Sequence, residues 1–431
     1  MTTDDRFLDT LESWLQAEGG SAAPSYTDEL LARTSAARQL PRWASFDRWV
    51  PARRSVASRM AGVPRPVKLL VVAAVILSLI LAAISASSRP TLPPPFGLAA
   101  NGSLAMATMD GIVIADPDGT NLRRLLELDG VEAMAFSPDG TRLAYRSVDP
   151  RSGRLTVLVH ELASGDVSDA SPGHGVGVGY DVIAWAPDSR HLVTRLVLGT
   201  HEDLQRLAVD GSQSTLVAPG TSVDRANAFG PAWSPDGAWI SFLGERPGTG
   251  DAGLFIVRPD GSEEHMVATA WRYDVGPPSW SPEPARRRLV YVRPDGHLGF
   301  VDLAAPEPVL LAVTEHAEPH WPTWSPDGRS IAWFDGGLLV GAVDDLLAGG
   351  SPRHLSTLRG GCRDNAELTG TTPCGEPVWS PDGRWIVGPD VLGSSFVAIS
   401  VDGSRPPVHI PIKNASELTA VGSVAWQRRA P

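Results

Sequence analysis

Residues 231–242 read Pro231-Ala232-Trp233-Ser234-Pro235-Asp236-Gly237-Ala238-Trp239-Ile240-Ser241-Phe242. A short strand ends at Trp233 and a tight turn follows. In such a turn proline presets φ near -65°, aspartate bonds its own backbone, and glycine accepts a positive φ. Beyond the turn Ile240 and Phe242 point one way and Trp239 and Ser241 the other, the period of two that marks a strand. A third strand, Leu254-Phe255-Ile256-Val257, runs into a second turn at Pro259-Asp260-Gly261, and a more polar fourth segment closes the unit.

The unit recurs. Relatives of Trp-Ser-Pro-Asp-Gly start at Phe136, Trp185, Trp233, Trp280, Trp324 and Trp379, and Trp426 is a seventh aromatic in the same role without its turn. The spacings of 49, 48, 47, 44, 55 and 47 residues suit one four-stranded propeller blade. The second turn has counterparts at Asp118-Gly119, Asp210-Gly211 and Asp402-Gly403. Seven aromatic strands are present, but only six are followed by a complete unit. The missing three strands lie at the other end of the repeat, at 104–109, 111–115 and 122–128. The strand near Trp426 is therefore expected to pair with them and seal a ring of seven, which removes the exposed sheet edges. Some units depart from the pattern. Pro282-Glu283-Pro284 and Asp188-Ser189 replace the usual turn, and Thr194 and Gly388 replace an expected aromatic.

The Trp-Ser-Pro-Asp-Gly…Ile-x-Phe…Val-Asp-Gly-Ser pattern resembles the repeats of TolB-like, WD-repeat-like bacterial propellers over roughly residues 101–428. The resemblance implies a periplasmic or otherwise extracytoplasmic protein-binding role. It is specific for fold and weak for activity, because propellers host binding proteins, scaffolds and enzymes. A seven-blade count and an N-terminal anchor depart from a soluble six-bladed TolB, so that protein's particular partners are not carried over.

The anchor is read from residues 69–88, LLVVAAVILSLILAAISASS, twenty residues without a charge. A helix of about twenty residues spans the roughly 30 Å hydrocarbon core. Some sixty-five residues precede the run, which favours a retained anchor over a cleaved signal peptide. Arg53, Arg54, Arg59, Arg65 and Lys68 precede it and only Arg89 closely follows, so the positive-inside rule places the N-terminus in the cytoplasm and the propeller outside. Residues 1–68 carry ten basic and eight acidic side chains, and the remainder carries 27 against 41. Pro90, Pro93, Pro94 and Pro95 form a semi-rigid spacer.

The expected organisation is thus an all-β, seven-bladed propeller at 101–428, preceded by a short α-helical cytoplasmic segment at 1–66, a transmembrane helix at 67–88 and a Pro-rich linker at 89–100. In the first segment Phe7, Leu11, Trp14 and Leu15 share one helical face, and a second helix is expected from 28 to 39. Arg42-Trp43 and Arg48-Trp49 suit the membrane interface or a docking segment for a cytoplasmic regulator. The layout resembles membrane-bound anti-sigma regulators, although residues 1–100 hold no His or Cys, so only a zinc-free version fits.

Cys362 and Cys374 lie in the longest inter-aromatic spacing. Outside the cytoplasm a disulfide is expected, worth about 3 kcal/mol for so small a loop. Zinc is the poorer alternative, since two cysteines and His354 do not complete a site. No G-x-S-x-G elbow occurs. His316 and His320 are separated by Pro319 and lack helical ligand geometry. The glycine-rich run at 173–179 follows no strand-to-helix pattern, and the recurrent aspartates form no calcium loop. A net charge of -12 excludes a general nucleic-acid binder. No cofactor, metal or catalytic residue is expected. The chain reads as a non-enzymatic, membrane-anchored module that binds a protein or envelope ligand on a propeller face. A transmembrane signalling regulator and a channel-mouth enzyme are the alternatives.

Overall fold

A four-stranded sheet with apolar residues on both faces cannot stand alone, and radial stacking of seven such sheets buries both faces of each. A computed structural model shows this arrangement. It describes residues 95–430 apart from 109, 129–130, 149–154, 172–181, 199–200, 220–225, 246–251, 271–274, 313–318, 357–375, 390–394 and 412–422. The expected helices in 1–66, the span at 67–88, most of the linker, the glycine-rich run at 173–179, His316, Cys362 and Cys374 lie outside the described residues. Among the described residues, no helix is long and apolar enough to cross a membrane.

Seven four-stranded antiparallel sheets are present. In each, the innermost strand is the one that carries the repeat aromatic. Blade 1 is closed by the last strand of the chain: Val424–Arg429 pairs with Ala100–Thr108, which continues to Gly111–Ala115 and Arg123–Glu127. The register sets Leu104 opposite Trp426, Ala105 opposite Ala425 and Met106 opposite Val424. The expected ring closure is therefore present. The other six blades follow in order along the chain.

The alternation read from residues 239–242 has a different meaning from half-buried sheets. Ile240, Ser241 and Phe242 are all fully buried. Ile240, Phe242 and Phe255 pack with Trp233 against Val193 and Leu204 of the preceding blade. Trp239, Leu243, Leu254 and Ile256 pack against Trp280, Leu289, Tyr291 and Val301 of the following one. Alternate residues thus feed alternate inter-blade cores, and the outer strands face solvent, as do Arg123 and Arg124 in Arg123–Glu127.

The turn after four of the aromatics is built by a buried serine. Ser137, Ser234, Ser325 and Ser380 donate their hydroxyls to the aspartate two residues on, each at 2.6 Å. The same oxygens accept the backbone N–H five residues on, at 2.9–3.0 Å. The unit at Trp280 lacks that aspartate and is longer. Trp280 pairs with Leu289, nine residues on, whereas Trp233 pairs with Ile240 and Trp324 with Ile331, seven on. In blade 6 the connection after the third strand contains a short helix, Val343–Leu347, which buries Val343 and Leu346. No repeat position signalled it.

Candidate functional site

The repeat aromatics form an inner belt. Six tryptophans, Trp185, Trp233, Trp280, Trp324, Trp379 and Trp426, are buried to the same degree, and Phe136 is half-buried. Their ring nitrogens tie neighbouring blades. The indole N–H of Trp185 donates to the carbonyl of Ala135 (2.9 Å), that of Trp280 to Ala232 (3.2 Å) and that of Trp324 to Ser279 (3.1 Å). In each case the acceptor immediately precedes the aromatic position of the preceding blade. Trp426 instead donates to Gly102 within its own sheet, while the indole nitrogens of Trp233 and Trp379 find no acceptor. These residues are structural.

Inside the belt lies a cavity of about 250 Å³. The innermost strands of blades 3 to 7 line it at two levels. Trp185, Trp233 and Trp280 mark the level next to the first turns. Three residues earlier come Val182, Pro277, Trp321 and Glu376, about 10 Å farther along a strand at roughly 3.3 Å per residue.

Phe96 lines the cavity at the turn end. The chain that carries it is fastened across that face. Ala99 N–H donates to Pro381 carbonyl (2.9 Å), the Arg428 guanidinium donates to Gly97 carbonyl (2.7 Å), and Leu98 approaches Gly383. The last residues of the expected linker are therefore part of the propeller rather than a free spacer.

Trp321 and Glu376 stand at equivalent positions of adjacent blades and make the other level asymmetric. Trp321 adopts φ 55°, left-handed backbone that a bulky residue rarely takes, at a cost of order 1–3 kcal/mol. Its N–H donates to Val275 carbonyl at 2.7 Å. Gly276 gives its ring room, because a Cβ there would sit 2.7 Å from the indole. Glu376 keeps accessible surface toward the cavity. Enclosure by the ring nevertheless pushes its carboxyl up to about 7, because burial disfavours the charged form.

Two further polar features were missed in the sequence. Leu243, Val292 and Phe334 occupy one position of the second strand in blades 4 to 6. Blades 2 and 3 place Arg146 and Arg195 there, the former fully buried. Both are engaged, as is buried Asp203. A charge at an otherwise apolar repeat position was the available signal. His160 is also buried, and desolvation lowers its pKa. Among the described residues no group of three metal-ligating side chains assembles, and His320 belongs to the inner strand His320–Trp324.

The family model described as the TolB beta propeller domain matches residues 100–366. The chain belongs to the TolB β-propeller family. Among curated proteins it is 30% identical over 161 residues to the uncharacterized peptidase YuxL of Bacillus subtilis (strain 168), a match that covers 36% of this chain and 21% of that one. The matched region thus spans about a fifth of that relative's length. Among solved structures, an oligogalacturonate lyase from Vibrio parahaemolyticus superposes with a TM-score of 0.51 at 15% identity, covering 71% of this chain and 91% of that one. TolB from Acinetobacter baumannii gives 0.45 at 16% identity, covering 78% and 68%. The likeness to the lyase shows the fold alone. These comparisons correct the expectation of a non-enzymatic chain. A relative that shares sequence with part of this TolB-family propeller is named a peptidase, so membership of this family does not support reading the chain as non-enzymatic.

Proposed function

We propose that this TolB-family propeller is a recognition module, tethered outside the cytoplasm through residues 67–88, that takes its ligand into the central channel from the end opposite Phe96. The observation that carries this reading is the unequal pair of channel ends. Phe96 and its fastened chain occupy the turn face, while Trp321 and Glu376 mark the other level. A concave, mostly apolar cavity with one placed polar group suits ligand binding. A photo-reactive side chain at position 321 in the full-length protein should capture a partner in isolated envelopes, and the same group at outer-strand Met266 should not. Capture from position 266 alone would move the site to the blade rim and refute the channel reading. Protease accessibility of the propeller in sealed spheroplasts tests the location, and protection would refute it.

A second reading is an activity seated in the same channel. Glu376 favours it, since a carboxyl that titrates near neutrality in a confined cavity is suited to proton transfer. Turnover of a peptide or polysaccharide substrate that disappears in Glu376→Gln would support it, and turnover that survives the substitution would refute it.

A further inference from the structure

The cavity has one charge-bearing wall. Glu376 is the titratable side chain among its described lining, and the remaining walls are indole, phenyl, proline and small aliphatic groups with the hydroxyls of Ser279 and Thr323. Of the charged groups on the flanking inner strands, His320 precedes Trp321 and Arg428 and Arg429 end the innermost strand of blade 1; none of them lines the cavity. Enclosure by the ring raises the Glu376 carboxyl above its ordinary value. Glu376 is solvent-accessible and lines the cavity, and among the described lining residues none carries a positive charge to match it, so a cation entering this aromatic-walled space meets an unmatched carboxylate. Aromatic faces attract cations as well, by about 0.5–2 kcal/mol.

We propose that the channel binds the ammonium group of an organic cation, with Glu376 as its counter-ion and Trp321 as its aromatic wall. This rests on the channel being the recognition site and adds the chemistry of what enters it. A volume of about 250 Å³ is below the 300–1,000 Å³ typical of drug-sized ligands. It therefore admits a side-chain-sized group rather than a folded partner. The group belongs either to a free amine or to a lysine or amino terminus at the tip of a peptide, and both sources share this chemistry. The chain's net charge of -12 assists the approach of either.

The test uses the full-length protein in detergent, with choline and its uncharged isostere 3,3-dimethylbutan-1-ol as probes and calorimetry as the readout. Choline should bind saturably at pH 8. Its affinity should fall roughly tenfold at pH 6, because a carboxyl with a midpoint near 7 loses about tenfold in ionised fraction over that interval. Glu376→Gln should abolish both the pH dependence and the preference for choline over the alcohol, and Trp321→Leu should weaken choline at both pH values. A short lysine-tipped peptide that binds more tightly than choline identifies a protein source, and equal affinity identifies a free amine. Equal binding of choline and the alcohol, or unchanged choline affinity in Glu376→Gln, overturns the cation proposal while leaving channel recognition standing. Absence of binding by every probe, together with photo-capture from position 266 alone, overturns both.

Discussion

One buried amide reinforces the ring closure made by the pairing of Val424–Arg429 with Ala100–Thr108. Gln427, on the last strand, accepts the backbone N–H of Ser103 through Oε1 (3.0 Å) and donates through Nε2 to the carbonyl of Gly140 (2.7 Å). It therefore joins the end of the chain to its first strand and to the first turn of blade 2. Gln427→Ala orphans a buried carbonyl and a partly buried N–H, at about 1–3 kcal/mol for the former and about 1 kcal/mol for the latter, or roughly 2–4 kcal/mol together. With an unfolding entropy near 2.1 cal/mol/K per residue, a propeller of about 330 residues changes by roughly 0.7 kcal/mol per degree. The melting temperature should fall by about 3–6 °C in differential scanning calorimetry of the full-length protein. Gln427→Glu keeps the bond from Ser103 but turns an acceptor toward Gly140, so it should cost at least as much. Asp210→Ala, in an exposed turn where the carboxylate bonds Ser212, should shift melting by no more than about 1 °C. If Gln427→Ala is no worse than Asp210→Ala, closure does not run through this side chain and the argument fails.

Three other outcomes follow from the same structure. Trp280→Phe should lose about 1 kcal/mol more than Trp233→Phe in urea titration, because the indole of Trp280 bonds Ala232 while that of Trp233 has no acceptor to lose; equal costs would remove the inter-blade bond from the account. Gly140 and Gly165 both have left-handed backbone, but a Cβ at Gly140 would lie 2.0 Å from the Arg428 carbonyl whereas nothing lies within 4 Å at Gly165. Gly140→Ala should therefore lower the melting temperature well beyond Gly165→Ala, and similar values would show that backbone strain alone is being measured. Glu376 has a folded pKa above its ordinary 4.5, so it takes up a proton on folding. Its stabilising protonated form is complete below about 4.5 and is lost as pH rises through about 7. Glu376→Gln should match the parent melting temperature at pH 4 and exceed it at pH 8, and a constant difference across that range would contradict the shift.

The strand order, the blade count and the ring closure were legible because they rest on what the blades have in common. A serine, a proline, an aspartate and a glycine after four of the aromatics specify a turn through local bonds alone, and seven aromatics with only six complete units already imply that the last strand joins the first. The two-residue expansion after Trp280 was visible as Pro282-Glu283-Pro284, though not its size. The site followed no such rule. Phe96, Trp321 and Glu376 are up to 280 residues apart; Phe96 precedes the first blade, and Trp321 and Glu376 each stand in a different one. Only closing the circle brings their side chains around one cavity. The same holds for the unpaired indole nitrogens and for Arg146, whose burial depends on the blade packed against it. Local chemistry repeats along the chain and can be read there, whereas the environment of a channel residue is made by other blades and exists only once the ring has formed.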